Sequence, residues 1–142
     1  VTGWELGATG AVTARWELAA GVASQRARVT SATTAARLGA TPALVPHTTV
    51  SLWNKVRVLR ALSAGLGVVH QGDMYASIDN TVRLPAFTRV DAALFVPVAR
   101  GLRAQLNVEN VLDRTYYATS HGNNNILPGA PRAFRLTLTT AR

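Results

Sequence analysis

Few side chains in this sequence have chemistry to offer. His47, His70 and His121 are the three imidazoles, cysteine is absent, and Asp plus Glu number seven. No two histidines fall at a metal-ligand spacing and no carboxylate stands at a useful offset from one, so neither a metal site nor a cofactor is expected. Ser51, His47 and Asp73 supply the residue types of a nucleophilic triad, but no nucleophile elbow surrounds Ser51 and the chain has no Gly-rich phosphate loop. No catalytic residue is assigned, and an enzyme is not expected. What remains is one polar stretch, TYYATSHGNNN, in which Tyr116, Tyr117, His121, Asn123, Asn124 and Asn125 present phenol, imidazole and amide groups suited to a polar ligand. A plain solvated loop has the same composition. Adjacent tyrosines point to opposite sides of an extended backbone, so one ring can meet ligand while the other packs or joins an interfacial aromatic belt.

Period two dominates the elements that must hold these groups. Leu102, Ala104, Leu106 and Val108 alternate with Arg103, Gln105, Asn107 and Glu109; Val90, Ala92, Leu94 and Val96 alternate with Arg89, Asp91, Ala93 and Phe95. Phe134, Leu136 and Leu138 repeat the pattern near the chain end, as do residues 4–11, 16–28 and 50–58. Residues 62–75 follow it more weakly, softened by Gly65 and Gly67. The reading is all-β, with about seven strands that each carry one apolar and one polar face. Gly3, Gly7, Gly10 and Gly21 also fall inside strand patterns, where glycine marks bends or close approach.

The connections alternate in length. Short turns are expected near residues 13–15, 59–61 and 97–101, and long polar links near 31–46, 72–85 and 113–130. That alternation marks an antiparallel up-and-down outer-membrane barrel, with short periplasmic turns and long extracellular loops. A soluble lipocalin-like barrel around a small apolar ligand has similar length and the same alternation, with its apolar face turned inward. Two features favour lipid on the apolar face: its Leu, Val and Ala extend over about 9 to 11 residues, the length of a tilted spanning strand, and the polar faces suit a wet lumen. The longest apolar runs fall far short of the ~20 residues of a membrane helix. Fifteen Lys plus Arg, all Arg except Lys55, give a net charge of +8. Aromatics do not interleave with these cations on one face, so no nucleic-acid partner is expected. No signal-peptide pattern follows Val1. With seven antiparallel strands the first and last run in the same direction and cannot close on each other, so the chain reads as one piece of a larger sheet.

Three stretches, NVENVLDRTYY, GAPRAFRLTLT and YASIDNTVRLPAFTRVDA, resemble the C-terminal end of TonB-dependent outer-membrane receptors of the siderophore type. In that family the penultimate strand runs into an Asn-aliphatic-Phe-Asp-basic-x-Tyr-Tyr segment, matched by Asn110, Val111, Asp113, Arg114, Tyr116 and Tyr117, with Leu112 in place of Phe. The last strand follows Gly-x-Pro-Arg, matched by Gly129, Pro131 and Arg132, while Asn80, Leu84, Pro85, Phe87, Val90 and Asp91 resemble the lead into an earlier strand. The resemblance implies that residues 1–142 are the last seven strands of a roughly twenty-two-stranded barrel in the cell outer membrane, with plug domain and signal peptide absent. It further implies a ferric siderophore or similar chelate as ligand, TonB engaged only through the missing plug, outer-membrane lipid around the wall, and a barrel-assembly machinery that reads the terminal strand.

Two expectations concern the wall itself. Arg26 and Arg28 share the parity of Trp16, Leu18, Ala20 and Val22, and ten residues of tilted strand raise Arg26 by ~25 Å, about the height of the apolar band. Trp16 is therefore expected at the periplasmic girdle, and Arg26 and Arg28 at anionic lipid headgroups of the outer leaflet. Receptors of this family usually finish on an aromatic residue. Here the row of Phe134, Leu136 and Leu138 runs by parity to Thr140 and Arg142, which implies inefficient assembly that a terminal Phe would improve.

Overall fold

The computed structural model describes residues 1–140, so Arg142, the charged end expected for the apolar row, lies outside the described residues. The strands are β1 (Thr2–Thr13), β2 (Trp16–Arg26), β3 (Thr48–Leu59), β4 (Leu62–Gln71), β5 (Met74–Tyr75), β6 (Arg83–Leu84), β7 (Phe87–Ala99), β8 (Leu102–Glu109), β9 (Tyr117–Gly122), β10 (Asn125–Pro128) and β11 (Ala133–Thr140). Seven of them form one sheet in the order β1-β2-β3-β4-β7-β8-β11, each antiparallel to its neighbour. This is the up-and-down meander that the alternating turn lengths predict.

Two-residue turns at 14–15, 60–61 and 100–101 close one end of the sheet, each beside a register irregularity. The third is narrower than expected, because β7 continues through Pro97. Pairing with β4 stops at Phe95, so the missing N–H of Pro97 falls where the ladder has already ended on that side. The other end carries the first (27–47), second (72–86) and third (110–132) long loops.

The two faces differ as alternation requires. Trp4, Leu6, Val12, Trp16, Leu52, Val56, Leu66, Leu94, Val96, Phe134, Leu136 and Leu138 share one face and are all exposed. An apolar surface continuous over seven strands far exceeds what a soluble monomer leaves to water, and each such side chain gains about 1.5–3 kcal/mol when it is covered. The opposite face pairs Lys55 with Glu17 at 3.2 Å, Arg135 with Glu109 at 3.5 Å and Arg89 with Asp91 at 2.9 Å. Trp16 opens β2 directly after the first short turn, where its indole N–H donates to Asn54 Oδ1 at 3.1 Å.

The lipocalin-like alternative fails on this geometry. An inward apolar face needs a sheet closed on itself, but β1 and β11 each pair on one side among the described residues. Both run in the same direction, so they cannot pair antiparallel with each other.

On the polar face Trp53 is flanked by Ala19 on β2 and Gly67 on β4. Its ring lies across two glycines of β4. A methyl group at Gly65 would come within 2.5 Å of the indole, and one at Gly67 within 2.6 Å. The glycines that weaken the period of β4 are therefore the seat of an aromatic ring, where any larger residue would displace it.

Candidate functional site

The long loops are not independent excursions. In the second, β5 and β6 form a two-rung hairpin with Met74 opposite Leu84. In the third, β9 and β10 form a hairpin turning at Asn123 and Asn124, within what the sequence marks as one long polar link. Met74, Ala76 and Leu84 make a small buried cluster, with Leu84 at 1% exposure, and Val82 and Ile126 pack against it. Ile126 belongs to the third loop, so this core joins two loops.

Polar contacts complete the join. Ser120 Oγ donates to Ala76 O at 2.8 Å, and the Asn123 amide donates to Asp79 Oδ2 at 2.7 Å and to Thr81 Oγ1 at 2.9 Å. Asn80, in the left-handed region at φ 57°, donates through Nδ2 to Thr41 O at 2.7 Å and accepts from Thr41 N at 2.8 Å, which ties in the first loop. Leu44 N donates to Tyr75 O at 2.9 Å across the same junction. Asp79 is held below the usual carboxylate range, chiefly by the backbone N–H of Thr81 and further by the Asn123 amide.

A second knot ties the third loop to the rim of the sheet. Asn110 follows β8 at φ 51° and is 1% exposed. Its Nδ2 donates to Arg114 O at 2.9 Å and Ala130 O at 3.2 Å, and its Oδ1 accepts from Arg114 N at 3.1 Å. Its backbone N–H donates to Asp91 Oδ1 at 2.9 Å, while Asp91 Oδ2 holds Arg89. Arg89 Nη1 donates in turn to the Tyr116 hydroxyl at 3.3 Å, and the Tyr116 ring packs on Phe87 with centroids 4.4 Å apart. Tyr116 also lies directly over Gly129, where a Cβ would collide with the ring. Asp113, at φ 50°, accepts from Arg132 N at 2.9 Å and pairs with its guanidinium at 3.7 Å.

Residues far apart in sequence thus meet in one base for the loop: Phe87, Arg89 and Asp91 from the polar face of β7, Asn110, Asp113, Tyr116, Gly129 and Arg132 from the third loop. The sequence reading missed Arg89. Its signal was available, since Arg89 and Asp91 are an ion pair two residues apart on one strand face.

The seven-strand meander, its exposed apolar face and its crown of long loops are those of an up-and-down barrel wall. The family model "TonB dependent receptor-like, beta-barrel" matches residues 1–111. The chain belongs to the TonB-dependent receptor family. Similar proteins include the probable TonB-dependent receptor BfrD of Bordetella pertussis, 31% identical over 96% of this chain and 20% of that protein. The catecholate siderophore receptor Fiu of Escherichia coli K12 is 32% identical over 96% of this chain and 19% of that protein. Among solved structures, the siderophore receptor PiuA of Acinetobacter baumannii superposes with a TM-score of 0.90 at 26% identity, covering 97% of this chain and 21% of that one. The chain spans about a fifth of the length of the relatives it matches.

Within this receptor segment the six loop residues singled out from the sequence separate into two groups. Tyr116 is 7% exposed and committed to Phe87, Arg89 and Gly129, and Asn123 is committed to Asp79 and Thr81. Tyr117, at 41% exposure, points away from Tyr116, and His121, Asn124 and Asn125 are exposed on the hairpin. Arg114 contributes its backbone to the Asn110 knot, and its side chain is exposed. Gly129 donates its N–H to Tyr116 O at 2.8 Å, and exposed Pro131 leads into β11.

The three residue types of the paper triad do not assemble. His47 and Asp73 line a cleft between the first two loops, whereas Ser51 lies on β3 against Gly21, about 13 Å of strand beyond His47. Arg26 closes β2 on the apolar-face parity, and its Nε donates to His47 Nε2 at 3.3 Å. β2 ends at Arg26, so strand alternation does not reach Arg28, whose Nη1 instead donates to Gly39 O at 2.9 Å within the first loop.

Proposed function

We infer that this chain is a wall segment, the last seven strands of a roughly twenty-two-stranded outer-membrane receptor, that takes part in ferric siderophore uptake. The observation that carries this reading is the joined crown of three loops at one end of a sheet whose apolar face exposes large Trp, Leu, Val and Phe side chains. Relatives named as siderophore receptors support the ligand class. Lipid covers the apolar face in this reading, the short turns face the periplasm, and the row of Phe134, Leu136 and Leu138 serves the assembly machinery. The segment binds and passes its ligand without altering it. Coupling to TonB runs through the plug of the complete receptor.

Ligand contact is assigned to Tyr117, His121, Asn124 and Asn125, the groups of the β9–β10 hairpin left free by the loop core. Deleting the hairpin tip would not test this, because Ser120 and Asn123 also hold the second loop. The clean test keeps both and changes His121, Asn124 and Asn125 together to Ala in a complete receptor carrying this segment. Affinity for ferric siderophore should fall about tenfold or more, as expected when polar contacts in a desolvated site are lost, with barrel folding unchanged. Unaltered affinity and uptake in a folded receptor would remove the hairpin from the ligand site.

A further inference from the structure

The cleft between the first and second long loops is electrically unlike the rest of the crown. It is an open cavity of about 700 Å³ lined by Arg26, Arg28, Arg37 and Arg83, with Asp73 as its single carboxylate. The buried small residues Ala27 and Ala40 form its floor. Two of these arginines, Arg26 and Arg28, are held in place by uncharged partners. His47 Nε2 accepts from Arg26, which puts the ring proton on Nδ1, beside Thr48 Oγ1 at 3.2 Å. Arg28 is fixed by the carbonyl of Gly39, whose φ of 80° turns the loop there, and that loop is braced by Gly39 N to Val29 O at 2.9 Å and Val29 N to Ala40 O at 2.8 Å. Arg83 pairs with Asp73 at 2.6 Å, and its guanidinium lies 5.6 Å over the Tyr75 ring. The guanidinium of Arg37 makes no ion pair among the described residues.

Neutral acceptors fix direction without cancelling charge. A guanidinium has five N–H donors, and the contacts of Arg26 and Arg28 each use one, so the planar forks suited to phosphate oxygens remain available on side chains already immobilised. We propose that this cleft is a binding site for a phosphate-bearing anion, with Arg26, Arg28 and Arg37 as its ligands and Arg83 closing its far wall. Arg26 ends the apolar-face row of β2, which places one lip of the cleft at the border of the lipid-facing surface. A phosphorylated glycolipid headgroup is therefore the favoured source over soluble phosphate. The proposal takes its membrane setting from the receptor reading above, but it concerns a site apart from the β9–β10 hairpin.

The test uses a complete receptor carrying this segment and three probes: detergent micelles with bisphosphorylated glycolipid, the same micelles with the dephosphorylated glycolipid, and sodium pyrophosphate. Wild type should bind the phosphorylated micelles at least about tenfold more tightly than the dephosphorylated ones, and Arg28→Gln with Arg37→Gln should erase the difference. Arg28→Lys with Arg37→Lys keeps the charge, and partial recovery separates loss of binding from loss of fold. Equal binding of pyrophosphate supports the anion site and assigns it to soluble anions. Absence of any preference for phosphate in wild type, or a preference that survives the double Gln substitution, overturns the proposal. So does a Gln variant that loses ferric siderophore affinity while keeping phosphate preference, whereas failure of the hairpin variant leaves this result untouched.

Discussion

Asn110 does two things at once. It adopts φ 51° with little penalty, as Asn tolerates better than most side chains, and it satisfies three backbone groups of the third loop from a position 1% exposed. Asn110→Ala would lose those bonds and place a Cβ-only residue in the left-handed region, at a cost of about 2 to 4 kcal/mol. Asn110→Gly separates the two contributions, since it relieves the backbone but not the bonds. Thermal unfolding of a complete receptor should rank wild type above both, with Gly within about 1 kcal/mol of Ala if the bonds dominate. The sequence marked Asn110, Asp113, Tyr116 and Gly129 by resemblance to a family pattern, and could not show that they act on one another and on Arg89. Asp79 carries a pH dependence. Its folded pKa lies below the ordinary carboxylate value, chiefly through the Thr81 N–H, so its contribution is present above the unfolded pKa of about 3.9 and is lost as pH falls through the lower folded value. Amide exchange in β9 and β10 should therefore accelerate below about pH 4, beyond the intrinsic effect of acid, and Asp79→Asn should remove that step. An unchanged step in the variant would show that another carboxylate governs the hairpin.

Strands and turns were legible because each strand answers to a local rule. One face is apolar and the other polar, so alternation over eight to thirteen residues survives in the sequence, as in β8 and β7. The loops obey no such rule. Asn123 meets Asp79 across 44 positions, and Ser120 meets Ala76 at the same separation, through contacts with no period and no motif. The β9–β10 hairpin was hidden for the same reason, since a turn of two Asn within a polar run reads as any solvated loop. Between these limits lie the β4 glycines, visible as an interruption but unexplained until Trp53 is placed on them. Gly65→Ala should destabilise the wall by crowding the indole, and Trp53→Ala should do so by removing it, but the two together should cost less than their sum. A double-mutant cycle measures this, and a coupling near zero would mean that ring and glycines are merely neighbours.

At the scale of the whole molecule the open edges govern behaviour. Among the described residues β1 over twelve residues and β11 over eight each present an unpaired row of backbone groups, and both edges border a continuous apolar face. In lipid each unsatisfied group costs several kcal/mol, and in water such edges pair with whatever chain they meet. Because the edges are parallel, one copy cannot close. Two copies can pair β1 with β1 and β11 with β11 antiparallel only if one is inverted, which sends their long loops to opposite ends. The chain alone, refolded in detergent, should therefore give strand content by circular dichroism without a compact, heat-modifiable species on gel electrophoresis. The same residues within a complete receptor should give that species. A monodisperse, heat-modifiable monomer from residues 1–142 alone would show that the sheet satisfies its edges in some other way and would overturn the reading of this chain as one part of a larger wall.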